Sequence, residues 1–217
     1  MKQKLKVTAV LLLIVLVLGI FSVTEYESRR ELVFAKSLDE VILTVDHKEL
    51  KLSEFAFYVA YQEQQIEAAA RIYNPDNTNE YWSLHGNRMF LRDEGKHAVL
   101  DMAVHDEIFY QMAVAEGLEL TPQEEEHIAN DRYDFWSDLG KEERAALGIS
   151  EDTLLWSMRK IALAEKEQQL LAEIKQCSFE EYSLGGQAYE RLLSEHEYTV
   201  AEDIWERVPF GSVTVKH

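Results

Sequence analysis

AVLDMAVHDEIFYQMAVAEGLELTPQEEEH, residues 98–127, decides how the rest of the chain is read. Its first part predicts a long helix from about residue 94 to Glu116, apolar over more than half of its circumference. Val99, Met102, Phe109 and Met112 lie near one line, and Leu100, Val104, Ile108 and Ala115 near another. A helix apolar on that much of its surface is central in its domain. Gly117 supplies the residue past the helix end, where a left-handed backbone is needed. Leu118-Glu119-Leu120 is a short extended link, and Thr121-Pro122-Gln123-Glu124 starts a second helix. Thr caps, Pro occupies the first helical position and Glu closes the capping box. Glu124, Glu125 and Glu126 suit the positive end of that helix.

Further along, the second helix is expected to reach residue 136 or 139, and residues 140–148 form a connection with a helical turn. Ser150 caps a helix from Glu151 to about Gln176. Leu154, Met158, Ile161, Ala162 and Glu165 trace its inner face, and Lys166, Glu167, Gln168 and Gln169 mark a wetter end. Ser178-Phe179-Glu180-Glu181 has the form of a capping box, Gly185-Gly186 breaks the chain, and residues 187–196 form a short helix. Residues 197–208 alternate like a strand, with Val213-Thr214-Val215 a further candidate.

Upstream, residues 40–46, EVILTVD, have the β-branched composition of a strand, and Asp46-His47-Lys48-Glu49 reads as a turn. Ser53 is a candidate cap for a helix over residues 54–73, with Phe55, Tyr58, Val59, Gln62, Ile66 and Ala69 at helical spacing. Asn74-Pro75-Asp76-Asn77 stops it. The strand of residues 197–208 is expected to pair with residues 40–46, because a lone strand has no ladder partner. The fold class is therefore mainly α, with one or two short β-strands from the two ends of the domain.

At the start, residues 1–6 form a basic tip and residues 7–24 an apolar segment. The seventeen uncharged residues 7–23 reach ~26 Å as a helix, close to the ~30 Å hydrocarbon core. Lysines ahead of it place the N-terminus in the cytoplasm and everything after it outside. Ser22-Val23-Thr24 is a poor cleavage site, which favours an uncleaved signal anchor, a single transmembrane helix. Residues 25–39 make a charged stalk, and residues 40–217 the domain proper.

The net charge is −18. In the first thirty residues, Lys2, Lys4, Lys6, Arg29 and Arg30 outnumber Glu25 and Glu27, so the remainder carries −21. Such a domain is repelled by nucleic acid and attracts basic partners. The lone Cys177 rules out a disulfide within the chain and fits an extracytoplasmic setting, where unpaired thiols are a liability.

Candidate chemistry is sparse. His97, His105 and His127 lack the three- or four-residue spacing of helical zinc sites and read as polar-face residues. Glu124/Glu125 and Glu180/Glu181 are explained by their helix starts. Cys177 has no identifiable base partner, and Gly185-Gly186 is too little for a phosphate loop. No catalytic residue, metal or cofactor is expected. Aromatic residues are abundant in the helical part, more than a domain of this size buries completely. The residues expected to line a peptide-binding groove are Tyr58, Tyr61, Tyr81, Trp82, Met89, Phe90, Phe109, Met112, Tyr133, Trp136 and Trp156.

Several of these stretches resemble the SurA/PrsA-type extracytoplasmic foldases and chaperones. Thr44-Val45-Asp46, a turn, then Leu52-Ser53-Glu54-Phe55 entering a helix is similar to the start of that family's N-terminal domain. So are Ala98-Val99-Leu100-Asp101-Met102 and the run Gln111, Ala113, Glu116-Gly117-Leu118-Glu119-Leu120-Thr121-Pro122-Gln123-Glu124. The resemblance spans roughly residues 40–172. It implies a helical SurA N-terminal-like chaperone domain, membrane-anchored in a bacterium, that binds unfolded or newly translocated polypeptides. Members often carry a parvulin-type prolyl isomerase domain as well, for which the residues after the last long helix are too few. A protein with residual or lost isomerase activity and a dedicated membrane-complex adaptor are the alternatives. The family shows Asn-Gly where this chain has Asp46-His47-Lys48, which leaves the hairpin geometry open.

Overall fold

The computed structural model describes residues 30–86 and 89–216. The transmembrane helix expected over residues 7–24 and the first five residues of the stalk lie outside them; the rest of the expected stalk, residues 30–39, carries a 3-10 turn (Phe34–Lys36) whose Phe34 is buried in the core. Among the described residues no helix is long and apolar enough to cross a membrane.

Strand β1 (Val41–Val45) turns directly into β2 (Lys48–Lys51). Val45 pairs with Lys48, so Asp46 and His47 form a two-residue turn, with φ of +46° and +73°. This is the positive-φ turn that matches strand twist, built without glycine. Asp46 is held there from outside: one carboxylate oxygen is bonded to His196 Nδ1, and the other accepts Glu197 N–H at 2.9 Å. The His196 hydrogen bond, helped by the Glu197 N–H, draws the Asp46 carboxyl below its ordinary 3.8. A strand thus begins at Lys48, where a four-residue turn was expected. Ile42 and Leu43 are both fully buried, although neighbouring strand residues normally face opposite ways. A bulge between Val41 and Leu43 turns both inward.

The expected pairing of the two ends is present. β3 (Tyr198–Val200) lies antiparallel against β1, giving the order β2-β1-β3. It is shorter than expected, because Glu202–Trp205 coils into a helical turn, and residues 213–215 form no strand.

Helix α1 (Leu52–Tyr73) follows β2 without a linker. Its start is one residue ahead of Ser53: Glu54 reaches back to accept Lys51 N–H at 3.0 Å. After the short α2 (Thr78–Trp82) comes the central α3 (Leu91–Glu116). Leu118 N–H bonds to Ala113 O at 2.8 Å and Gly117 N–H to Val114 O at 3.1 Å, with Gly117 at φ +70°. That is the double-bonded glycine stop the sequence predicts. Helix α4 (Pro122–Asp138) opens on the expected capping box, Glu124 N–H to Thr121 Oγ1 at 3.3 Å and Thr121 N–H to Glu124 Oε2 at 2.6 Å. The rest is α5 (Lys141–Leu147), α6 (Glu151–Lys175), a 3-10 turn (Phe179–Tyr182), α7 (Gln187–Leu193) and α8 (Glu202–Trp205). Ser178 makes no side-chain cap there.

Helix α6 departs from expectation in its phase. It packs most extensively against α3, and its buried residues are Leu154, Ser157, Lys160, Ala164, Glu167, Gln168 and Ala172. Four of these seven are polar, so a stripe sought by apolarity points the wrong way. Glu167 and Gln168 belong to the interior; Gln168 Nε2 donates to Phe179 O at 3.2 Å and Ser183 Oγ at 3.1 Å. Lys160, 5% exposed, lies between Glu54 (3.3 Å) and the fully buried Glu107, under the faces of Tyr110 and Trp156. Gln111 joins Glu107 (2.9 Å) to Val45 O (3.2 Å).

His105 is buried rather than on a polar face. Its Nδ1 meets Asp106 Oδ1 at 2.8 Å and its Nε2 meets Tyr182 O at 3.0 Å. The two adjacent side chains therefore meet. Tyr58 OH donates to Asp106 Oδ2 at 3.0 Å. Burial, with Asp106 alongside, pushes the Tyr58 phenol far above its ordinary range.

His47→Gly is expected to raise stability by about 0.5–1 kcal/mol in chemical denaturation, since glycine alone meets no Cβ penalty at positive φ. Asp46 stabilises the fold above its ordinary pKa of 3.8, and that contribution disappears as pH falls through the lower folded value. Asp46→Asn should therefore flatten the stability profile below about pH 4. Lys160→Met should cost roughly 3–5 kcal/mol by stranding Glu107. In a double-mutant cycle, adding Glu107→Gln should restore part of that loss.

Candidate functional site

Because α6 turns its polar stripe into the interior, its adjoining face meets α4 across an open trough. A cavity of about 460 Å³ has Leu120, Ile128, Ala162, Leu170 and Phe179 as its apolar walls. A second, of about 220 Å³, continues toward Phe57, Met158 and Ile161. Both include His127, Ile128, Ala162 and Glu165, so together they form one groove along the α4–α6 seam. Ile128, 7% exposed, is its floor. Phe57 at one end is stacked on Tyr61 (centroids 5.8 Å) and tilted against Phe135 (5.1 Å).

The rim is acidic. Glu124, Asp131 and Glu165 surround the apolar strip, with Lys166 and His127 the cationic or titratable exceptions. Lys166 is already engaged: its ammonium donates to Glu124 Oε2 at 2.7 Å and Glu119 O at 3.0 Å, pinning the α3–α4 turn to α6. The Lys166 hydrogen bond and the Thr121 N–H hold the Glu124 carboxyl at about 2, so it stays charged throughout the neutral and mildly acidic range. His127 Nε2 lies 3.5 Å from Asp131. Glu165 is exposed at the junction of the two cavities.

None of the eleven residues expected in a groove lines this one. Tyr58, Trp82 and Phe109 are core, at 5%, 1% and 0% exposure. Trp82 Nε1 donates to Glu67 at 3.0 Å, and Phe109 stacks on Tyr189, lies tilted to His105 and meets Tyr182 edge-on. Tyr81 tilts on Tyr73, Phe90 meets His85, and Met89 lies just before Phe90 in the same connection. Met112 packs between the two core clusters. Trp136 lies partly buried under Arg144, and Trp156 under Lys160. Tyr61, Phe90, Tyr133 and Trp156 remain exposed, at 41%, 51%, 65% and 43%. Tyr61 comes nearest, through its stacking on Phe57. Met158, Ile161, Ala162 and Glu165, assigned from sequence to an inner face, are the groove residues of α6.

Another cavity, about 470 Å³, opens by the hairpin among Thr44, Asp46, His47, Glu195, Glu197, Tyr198 and Thr199. Its polar groups are tied to one another through Asp46, and it has no continuous apolar wall. Among the described residues no group of three or more His, Cys, Asp or Glu side chains is arranged to hold a metal ion. Cys177 Sγ faces Ala172 O at 3.8 Å.

Compared with family models, curated proteins and solved structures, the chain matches none.

Proposed function

We propose that this protein is a membrane-anchored extracytoplasmic chaperone whose α4–α6 groove holds apolar segments of unfolded or newly translocated polypeptides. The groove carries the proposal: an apolar strip two cavities long, with carboxylates on its edges. Apolar side chains leave water in the trough, while Glu165 and Asp131 favour segments with Lys or Arg beside the apolar residues. The strongly acidic surface keeps a loaded complex soluble and selects the same basic clients. The SurA/PrsA resemblance and the apolar residues 7–24 support the same reading from independent parts of the chain. No nucleotide is required; clients leave through weak affinity and their own folding.

The test is light scattering of a chemically unfolded, basic client with and without the protein at near-equimolar ratio. Suppression of aggregation is expected. Ala162→Trp, which fills the junction of the two cavities, should abolish it without unfolding the domain. Glu165→Arg should weaken capture of a basic client by about tenfold at low salt, with the difference shrinking as salt screens it. A protein that leaves aggregation unchanged and instead retains one stoichiometric partner is a dedicated adaptor.

A further inference from the structure

Residues 209–216 belong to no helix or strand, yet five of the eight (residues 210, 211 and 213–215) are buried. Phe210, Val213, Thr214 and Val215 are 3%, 6%, 4% and 7% exposed. Four hydrogen bonds of this segment converge on one side chain, the fully buried Glu63 of α1. Glu63 Oε1 accepts Gly211 N–H at 2.6 Å and Val213 N–H at 3.1 Å. Its Oε2 accepts Thr214 N–H and Thr214 Oγ1–H, both at 2.6 Å. Gly211, at φ +87°, bends the backbone so that these donors face one point, as backbone does around an anion.

The cleft is also shaped for the segment. Phe210 lies edge-on to Trp82, with centroids 6.0 Å apart. Gly95 stands inside α3, where alanine would be the better helix former. A Cβ there would come within 2.4 Å of Ile66 Cδ1 and 2.9 Å of Phe210 Cε1. The missing methyl is the seat of the Phe210 ring. Upstream, Lys96 Nζ donates to Glu206 O and Val208 O, both at 2.9 Å, and fixes the point where the segment departs.

We propose that residues 209–216 are a detachable strap occupying a peptide site between α1, α2 and α3. The ligand class of that site is a segment that turns at a glycine, with an aromatic residue before it and β-branched residues after it. Phe210 and the valines supply apolar anchorage, and Glu63 reads the backbone N–H groups. The catch suits a carboxylate, because each of its oxygens meets at least one backbone N–H, which can only donate. An amide at this position turns an N–H₂ toward N–H groups whichever way it is flipped. The site is separate from the α4–α6 groove and stands without it.

The experiment is native-state hydrogen exchange on the full chain, paired with binding of a labelled peptide of sequence VPFGSVTVK. In Glu63→Gln, exchange at Gly211, Val213 and Thr214 should quicken about tenfold or more, while the β1–β3 amides change by less than about twofold. Phe210→Ala loosens the strap but keeps Glu63 and Trp82. This variant should bind the peptide in trans, wild type should not, and Phe210→Ala/Glu63→Gln should lose binding. Equal acceleration of strap and strand amides in both single variants would show that the segment opens only with the whole domain and overturn the proposal. Failure of Phe210→Ala to take up the peptide would also overturn it.

Discussion

A buried ammonium needs partners, and Lys160 has them on three elements at once. Glu54 comes from α1, Glu107 from α3, and the Tyr110 and Trp156 rings cover its approaches. Removing either charge alone leaves the other stranded in a medium that solvates it poorly, so the arrangement tolerates little rotation of α6. Gln111 carries the same constraint on to the Val45 carbonyl and hence to the sheet. An apolar interface of equal area slides by a residue at small cost; one keyed by an ion pair does not.

The groove is the consequence. With Ser157, Lys160, Glu167 and Gln168 buried in the interior, the row Met158, Ile161, Ala162 and Glu165 is set roughly a third of a turn round the helix, lining the groove beside α4. Lys166 then ties the turn between α3 and α4 to the groove's edge through Glu124 and Glu119 O. The long helices thus hold the trough open, and its apolar floor is continuous from Phe179 to Phe57. The opposite side of the domain is closed in a different manner, by a chain segment whose donors all find one carboxylate.

Local signals in the chain were good guides wherever a single residue's backbone preference decides an outcome. Gly117 stops α3, and Thr121, Pro122 and Glu124 start α4, because caps and left-handed turns are settled within a few residues. The mainly helical class and the pairing of the early strand with a late one were legible for the same kind of reason. The hairpin was not, since Asp46-His47 is a poor turn by local preference. It is held by His196 and Glu197, some 150 residues away. The strand expected over residues 197–208 failed in the converse way, because alternation carried no information about where β1 ends.

What the sequence by itself determined is the long helices, the stop of α3, the starts of α4 and α6, the acidic composition and the apolar segment ahead of the domain. These follow from short-range backbone chemistry and composition. Only the tertiary structure decided which faces meet. Large aromatics such as Trp82, Phe109 and Tyr58 proved to be core, because Glu67, Tyr189 and Asp106 give them partners inside. The groove fell to smaller residues whose exposure depends on the phase of α6. That phase is set by buried polar contacts between residues far apart in the chain, Glu54, Glu107 and Lys160, and no periodicity of apolar residues records them.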